Sequence, residues 1–376
     1  MTMSCRDRVL AALNQESLDR PPAAIFTTCD TIDMMKACGA SWPEAHSDPQ
    51  KMATLGCAEA DYFGLETVRA GFCLTEEAEA FGCPTDMGTA RSSPMLKGHR
   101  YNYDPMKKIY DEPDDLPDID GFLETKRVKT TIDAMAIMHK THGEDYVVIG
   151  GNTGPFTLTG HLLNTENLVY SVWTEPERAR RWVGAIAPYC KAFGQALLDS
   201  GADVVQMSEP SASTDILAPT DFPVQSGQFV KNCLGGLRGG HTVLHICGDS
   251  EKIIPYMYDT GVTGISVEEK VDSYLAVKVA NGRGALIGNV GCAFPLFKGA
   301  PADVAAATKK SMDAGFNCIS AGCGVPIGTP AENIRALVGT VKGTYRYGDR
   351  NRRAGPPRRG GRRAEVFGRY GPSYRD

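Results

Sequence analysis

The chain has 376 residues, with 40 Lys and Arg against 45 Asp and Glu, and a formal net charge of −5. This length suits one large α/β barrel and does not require two domains. The 12 cysteines have no regular spacing, no apolar run approaches about 18 residues, and no charged-then-apolar segment opens the chain. Composition therefore argues against a disulfide framework and a membrane span, and it predicts a reduced, cytoplasmic protein.

Along the chain, helical patterns alternate with short apolar strands. Ser4 and Asp7 fit a capping box that starts an opening helix. Eight strand-like segments follow, most of them separated by stretches long enough for a helix, at residues 23–26, 67–70, 146–150, 202–207, 243–247, 264–267, 285–288 and 317–320. This repeat predicts a closed (β/α)8 TIM barrel with an N-terminal helical extension. An open doubly wound sheet is the competing architecture, but eight strands with polar or glycine-rich exits favour closure.

Two segments depart from this repeat. Residues 84–128 hold prolines, glycines and an acidic cluster with little periodicity, and we expect them to form an excursion over the barrel mouth. Residues 346–376 hold ten Arg against three Asp or Glu, a charge of +7 that leaves −12 for the rest of the chain. We therefore expect one catalytic domain over 1–345 and a disordered tail over 346–376. The alternative for the tail is docking of an acidic partner or nucleic acid, and nucleic acid is not expected to bind elsewhere.

A candidate metal site lies at the end of the fifth predicted strand. His245 and Cys247 are two residues apart, so their side chains share one face and can converge on one ion. Cys323 lies in a glycine-flanked turn after the last strand, and Glu268 stands where the sixth strand stops. Zinc suits this mixture of imidazole, thiolate and carboxylate, normally as four tetrahedral ligands. The residues thus predict a zinc centre built from three strand ends.

Simpler interpretations of these residues exist. In a chain with 7 His and 12 Cys, a His-x-Cys pair occurs by chance, and a buried Cys is commonly a small apolar filler. Cys318 competes with Cys323 as a ligand but lies within its predicted strand, whereas functional residues of barrels gather at strand exits. The other cysteines show no close ligand spacing, and core thiols are the better interpretation for most of them.

Several ordered motifs resemble the methylcobamide:coenzyme M methyltransferases, a branch of the uroporphyrinogen decarboxylase superfamily. The resemblance covers about residues 1–345, and its motifs lie at 20–22, 42–46, 78–83, 242–248, 266–270, 288–290, 322–324 and 329–333. It implies a uroporphyrinogen decarboxylase-like barrel in which His245, Cys247 and Cys323 bind catalytic Zn²⁺. It further implies that Glu268 completes the coordination when no thiol is bound. The implied reaction moves a methyl group from a methylated corrinoid, carried by a separate corrinoid protein, to the thiol of coenzyme M.

The sulfonate of coenzyme M needs hydrogen-bond donors, and three polar residues lie at or near predicted strand ends. These are Arg69, Asn152 and Asn289, and Glu209 at another strand exit is a candidate for orienting a ligand. Each has a structural alternative, because Arg69 could pair with a carboxylate and the two Asn could satisfy turn backbone. A structural role is at least as well supported for Glu209.

Other activities are known for barrels of this kind or use the same chemistry. A uroporphyrinogen decarboxylase-like lyase would need clustered Arg for a tetrapyrrole with eight carboxylates, yet no Arg occurs between Arg20 and Arg69. That reaction would also leave the zinc residues unexplained. Transfer to another thiol such as homocysteine, or of another alkyl group, uses the same zinc chemistry, and these alternatives stay open. A non-catalytic scaffold would be expected to lack part of the ligand set.

Overall fold

The computed structural model describes residues 2–345, so the predicted disordered tail at 346–376 lies outside the described residues. The helices are α1 Cys5–Leu13, α2 Ile32–Cys38, α3 Pro49–Phe63, α4 Glu76–Ala80, α5 Ile119–Leu123, α6 Lys126–His142, α7 Pro155–Leu163, α8 Thr165–Thr174, α9 Pro176–Asp199, α10 Gln228–Leu234, α11 Ile254–Asp259, α12 Ser273–Ala280, α13 Pro301–Ala314 and α14 Ala331–Val341. Short 3₁₀ or π turns occur at Glu44–Ser47, Pro210–Ala212, Pro223–Gly227, Glu251–Ile253 and Cys292–Phe297. The strands are β1 Thr67–Arg69, β2 Thr85–Asp86, β3 Met95–Leu96, β4 Tyr103–Asp104, β5 Ile109–Tyr110, β6 Val147–Thr153, β7 Val204–Ser208, β8 His241–Ile246, β9 Gly264–Val267, β10 Ala285–Val290 and β11 Cys318–Ala321.

Seven strands form one parallel sheet in the order β1-β6-β7-β8-β9-β10-β11. Helices connect successive strands, as parallel pairing requires. In the register of the sheet, His245 of β8 stands opposite Ser208 of β7 on one side and Ser266 of β9 on the other. Because all seven strands run parallel, their C-terminal ends lie at the same end of the sheet, where barrel enzymes carry their sites.

The eighth predicted strand, residues 23–26, lies between the two edge strands of this sheet. Ala23 forms a parallel bridge with Ile319 of β11, and Glu66 N–H just before β1 donates to the Ala23 carbonyl at 2.9 Å. Side chains replace part of the ladder, because the Ala23 N–H donates to the Glu66 carboxylate and Arg69 Nε donates to the Phe26 carbonyl, both at 2.9 Å. The segment closes the ring as a bridge and not as a regular strand. The predicted TIM-barrel fold with a uroporphyrinogen decarboxylase-like arrangement is confirmed.

Helix α1 covers the N-terminal end of the barrel, as the predicted helical extension. Ser4 caps it by accepting the N–H of Asp7 at 3.0 Å. Its apolar face packs into the barrel interior with strand side chains such as Phe26 and Ile149. Arg6 pairs with both carboxylate oxygens of Asp203, just before β7. Hydrophobic burial and the ion pair between Arg6 and Asp203 thus hold α1 over the end of the barrel opposite the strand exits.

The segment predicted as an excursion contains two small antiparallel hairpins, β2–β3 and β4–β5, followed by α5 and the start of α6. Short hairpin strands explain why no long period was visible in its sequence. Within residues 2–345, no helix combines the length and the apolar character needed to cross a bilayer.

Candidate metal centre at the mouth of the barrel

His245 is placed by β8 and oriented by its neighbour in β9. The imidazole is buried, and its Nδ1 lies 3.0 Å from the hydroxyl oxygen of Ser266. Its other ring nitrogen, Nε2, is buried without a hydrogen-bond partner. A proton on Nδ1 would be donated to Ser266 and would leave the Nε2 lone pair free. Burying such a nitrogen without a partner is costly, which is the arrangement expected of a metal ligand whose second nitrogen is held by the protein.

Cys247 and Cys323 approach His245 from the ends of β8 and β11. One ligand atom from each of the three residues lies within 4.8 Å of the other two. The hydrogen bond between the two thiols lowers the pKa of Cys323 to about 4 and raises that of Cys247. The site therefore stabilises one thiolate even before any cation is considered.

The main chain at Cys323 is held from several sides. The Cys292 thiol donates to the Cys323 carbonyl and accepts its N–H, both at 3.2 Å, and the Thr27 hydroxyl donates to the same carbonyl at 2.7 Å. A Cβ at Gly322 would lie 2.6 Å from a carboxylate oxygen of Glu269 and 3.0 Å from the main-chain Cα of Glu268, so this turn packs closely against the residues that follow β9. Cys292, treated from sequence as a core thiol, is thus part of the site. Its spacing from Cys323 gave no local signal, since the two meet only through the fold.

Glu268 is half-buried and directly follows the last residue of β9. Among the described residues, the group of mutually close ligand atoms contains His245, Cys247 and Cys323 and does not include the Glu268 carboxylate. Its negative charge nevertheless contributes to the raised pKa of Cys247. The role of Glu268 as a fourth ligand stays a prediction.

The three grouped residues fit zinc. Two ligands at roughly 2.0–2.3 Å from one ion can be no more than roughly 4.6 Å apart. That limit is close to the 4.8 Å within which the three ligand atoms lie. One imidazole and two sulfurs make a soft donor set of the kind that zinc prefers. Three protein ligands leave a fourth tetrahedral position for a substrate or for Glu268, as in catalytic zinc sites.

The side-chain nitrogens of Arg69 and Asn152 donate hydrogen bonds to the protein, whereas the Asn152 Oδ1 is buried without a hydrogen-bond partner. Arg69 is buried in β1, where Nη2 donates to the Gln206 side chain at 2.7 Å and the guanidinium lies over the Phe72 ring. Burial lowers the pKa of Arg69 to about 10. Asn152 of β6 donates to the Cys190 carbonyl of α9 at 2.9 Å, so its amide faces a surrounding helix.

Glu209 and Asn289 are similarly engaged. The buried Glu209 carboxylate accepts the N–H groups of Phe156 and Thr157, at 2.8 and 2.9 Å, at the start of α7. Burial raises its pKa. Asn289 of β10 donates to the Val271 carbonyl at 2.9 Å. Substrate contact by any of these four predicted residues stays a prediction, and the hydrogen bonds favour positioning roles.

A cavity of about 380 Å³ lies next to the turn that carries Cys323. Its wall includes Gly324, the residue after Cys323, together with Thr28 and Asp30 beyond the first strand segment. Residues 91–94 of the excursion line its other side. The volume falls within the range of small-molecule sites, roughly 300–1,000 Å³.

Comparisons with known proteins agree with this geometry. The family model for uroporphyrinogen decarboxylase (URO-D) matches residues 4–344. The methylcobamide:CoM methyltransferase MtbA of Methanosarcina mazei is 33% identical over 348 residues, covering 91% of this chain and 98% of the relative. The methylcobamide:CoM methyltransferase MtaA of Methanosarcina barkeri is 33% identical over 337 residues, covering 89% and 96%.

A solved structure described as a methyltransferase from Methanosarcina mazei matches with a TM-score of 0.83 at 31% identity, covering 91% of this chain and 99% of that one. The likeness therefore spans the barrel, the excursion and the strand exits that carry the triad. The chain belongs to the uroporphyrinogen decarboxylase family, and within that family it is a methyltransferase of the methylcobamide:CoM methyltransferase branch.

Proposed function

We propose that this protein is a zinc-dependent methyltransferase that moves a methyl group from a methylated corrinoid to the thiol of coenzyme M. The observation that carries the proposal is the group formed by His245, Cys247 and Cys323, in a chain 33% identical to relatives named for this reaction. The methyl donor is proposed to be carried by a separate corrinoid protein that docks at the barrel mouth. The 12 cysteines, all free, suit a reducing cytoplasm.

The chain's own residues prepare the site. His245, Cys247 and Cys323 would hold Zn²⁺, with Glu268 as the proposed fourth ligand when no thiol is present. Ser266 fixes the imidazole, while Cys292 and Thr27 fix the main chain of Cys323. When bound, zinc would stabilise a thiolate, so that a free-thiol pKa of about 8.5 would no longer limit its formation near neutral pH.

The proposed reaction balances as a nucleophilic displacement. The substrate S–H bond breaks and its proton leaves to solvent through the cavity. A sulfur lone pair forms the new S–C bond, and the C–Co bond breaks with both electrons remaining on cobalt, which passes from Co(III) to Co(I). The products are methyl-coenzyme M, a cobalt(I) corrinoid and one proton.

Residues 1–345 are proposed to be the catalytic domain. Arg69, Asn152, Glu209 and Asn289 are proposed to shape the site through the hydrogen bonds described above, because substrate contact would require those bonds to be exchanged. The excursion contributes the outer wall of the cavity.

The test uses zinc-replete protein with free methylcobalamin and coenzyme M, and follows corrinoid absorbance and thiol loss. We expect Cys247→Ala to lose bound zinc and to slow turnover by more than roughly 100-fold, since even groups that only support a ligand cost 10–100-fold. Cys318→Ala is the matched control, because Cys318 is buried in β11 outside the triad.

Each outcome separates the alternatives. Wild-type protein without zinc would contradict the metal centre. Bound zinc with methylation of homocysteine, but not of coenzyme M, would keep the chemistry and change the acceptor. Loss of zinc in Cys318→Ala and not in Cys247→Ala would show that Cys318 is a zinc ligand and that Cys247 is not.

A further inference from the structure

The cavity next to the Cys323 turn carries side chains that have no protein partner. Within residues 2–345, the guanidinium of Arg91 forms no ion pair or hydrogen bond, and the hydroxyls of Ser93 and Thr28 are also unbonded. Many of the other surface arginines are ion-paired, for example Arg100 with Asp115 and Arg181 with Asp114. The three free groups lie on the wall of one cavity and are all hydrogen-bond donors.

Arg91 also dominates the charge of this wall. The wall includes one imidazole, His46, but burial lowers its pKa to about 3, so it is neutral near pH 7. The carboxylate on the wall is Asp30, and burial raises its pKa to about 7, which reduces its negative charge near neutral pH. Arg91 is therefore the one full positive charge that the described part of the wall offers to a ligand.

We propose that Arg91, with the hydroxyls of Ser93 and Thr28, binds the sulfonate of the thiol substrate. This inference rests on the proposed function. The cavity wall includes Gly324, the residue after Cys323. On this proposal, a thiol directed at the triad extends its other end into this space. In coenzyme M that end is a sulfonate only two carbons away from the sulfur, and a planar guanidinium with two hydroxyls matches an oxyanion.

The assignment differs from the residues that strand position suggested. The guanidinium of Arg69 is committed to Gln206 and Phe26 inside the barrel, whereas that of Arg91 is exposed and free. Arg91 lies between β2 and β3, so the excursion supplies a residue to the proposed substrate site. The excursion brings a cation from a distant part of the chain to the strand exits, where it selects an acidic thiol over a neutral one.

The first experiment measures selectivity. With methylcobalamin as donor, kcat/KM is determined for coenzyme M and for 2-mercaptoethanol, a neutral thiol of similar length. In Arg91→Gln we expect the ratio of the two values to fall at least 10-fold, and in Arg91→Lys to recover most of that loss. Arg100→Gln is the matched control, since Arg100 lies in the excursion but outside the cavity wall. A ratio in Arg91→Gln within twofold of wild type would overturn the assignment.

The second experiment does not depend on activity. Ethanesulfonate, which has the anion but no thiol, is titrated into zinc-replete wild-type protein and Arg91→Gln by ligand-observed NMR. We expect at least 10-fold weaker binding to the variant, and equal binding, or none to wild type, would overturn the sulfonate site. If methyl transfer fails but Arg91-dependent ethanesulfonate binding persists, the proposed function is wrong and the anion site stands.

Discussion

At the scale of single residues, the two ring nitrogens of His245 have different surroundings. Nε2 is buried and unbonded, while Nδ1 is within hydrogen-bond distance of Ser266. The hydroxyl thereby fixes both the ring orientation and the nitrogen that faces the two sulfurs. Such supporting groups raise metal affinity without touching the metal.

We predict that Ser266→Ala weakens zinc binding by roughly 10–100-fold, because the imidazole loses the partner that orients it. The measurement is zinc transfer to a chromophoric chelator of known affinity. Ser250→Ala is the control, since that buried hydroxyl has no partner to lose. Equal zinc affinity of Ser266→Ala and wild type would show that the ring is positioned by packing alone.

At the scale of elements, Glu209 ties the exit of β7 to the start of α7. Its carboxylate accepts two main-chain N–H groups of α7 and the Ser226 hydroxyl, at 2.8–2.9 Å. The approach is close, because a side chain at Gly154 would lie 2.4 Å from a Glu209 carboxylate oxygen. A helix start has unbonded N–H groups, and a buried carboxylate satisfies them.

We predict that Glu209→Gln lowers the free energy of unfolding by roughly 1–3 kcal/mol, because an amide N–H would face a main-chain donor in a buried site. Urea unfolding at pH 7 measures this, with Glu166→Gln in the exposed first turn of α8 as the control. A substrate-binding role would instead raise the KM for coenzyme M and leave the unfolding midpoint unchanged.

Strand exits explain which elements were predictable. His245, Cys247 and Cys323 could be grouped from sequence because parallel strands end at one edge, so residues at their ends converge. Asn152 also lies near the C-terminal end of its strand, yet its amide faces α9. Successive strand residues point to opposite faces of the sheet, so a position near a strand end does not by itself place a side chain in the site. The segment at residues 23–26 could be predicted from its apolar pattern. Its sequence did not show that side chains of Glu66 and Arg69 replace some of the main-chain hydrogen bonds of a regular strand.

At the scale of the whole molecule, Glu66 holds the N-terminal region to the barrel. Its buried carboxylate pairs with Arg8 of α1 and with Arg20, and accepts the Ala23 N–H of the closing segment. Burial alone would raise its pKa, but the hydrogen bonds from Arg20 and Ala23 and the two positive charges lower it overall. The helix, the closing segment and β1 thus depend on one ionised group.

We predict that stability falls in acid through this residue. Since the folded-state pKa of Glu66 is lowered, its contribution is fully present above the unfolded value of about 4.3 and is lost as pH falls through the folded-state value. Glu66→Gln should lower the unfolding free energy at pH 7 by about 1.5–3 kcal/mol, because Arg8 keeps its ion pair with Asp19 but loses its charged partner Glu66, and the change should flatten the acid dependence.

The measurement is the urea midpoint of wild type and Glu66→Gln between pH 7 and pH 3. Glu332→Gln, an exposed acid in the first turn of α14, should follow wild type. Parallel curves for wild type and Glu66→Gln would assign the acid sensitivity to other carboxylates.

The sequence by itself determined the barrel and the grouping of His245, Cys247 and Cys323, because both follow from local pattern plus one rule of parallel sheets. Apolar period and turn residues mark each strand, and ligands at strand ends must meet. Tertiary structure alone decided which polar groups are already satisfied: Arg69 meets Gln206 across 137 positions, while Arg91 is left free on the cavity wall. Hydrogen-bond partners so distant along the chain carry no local signal, and only the fold reveals which donors remain for a substrate.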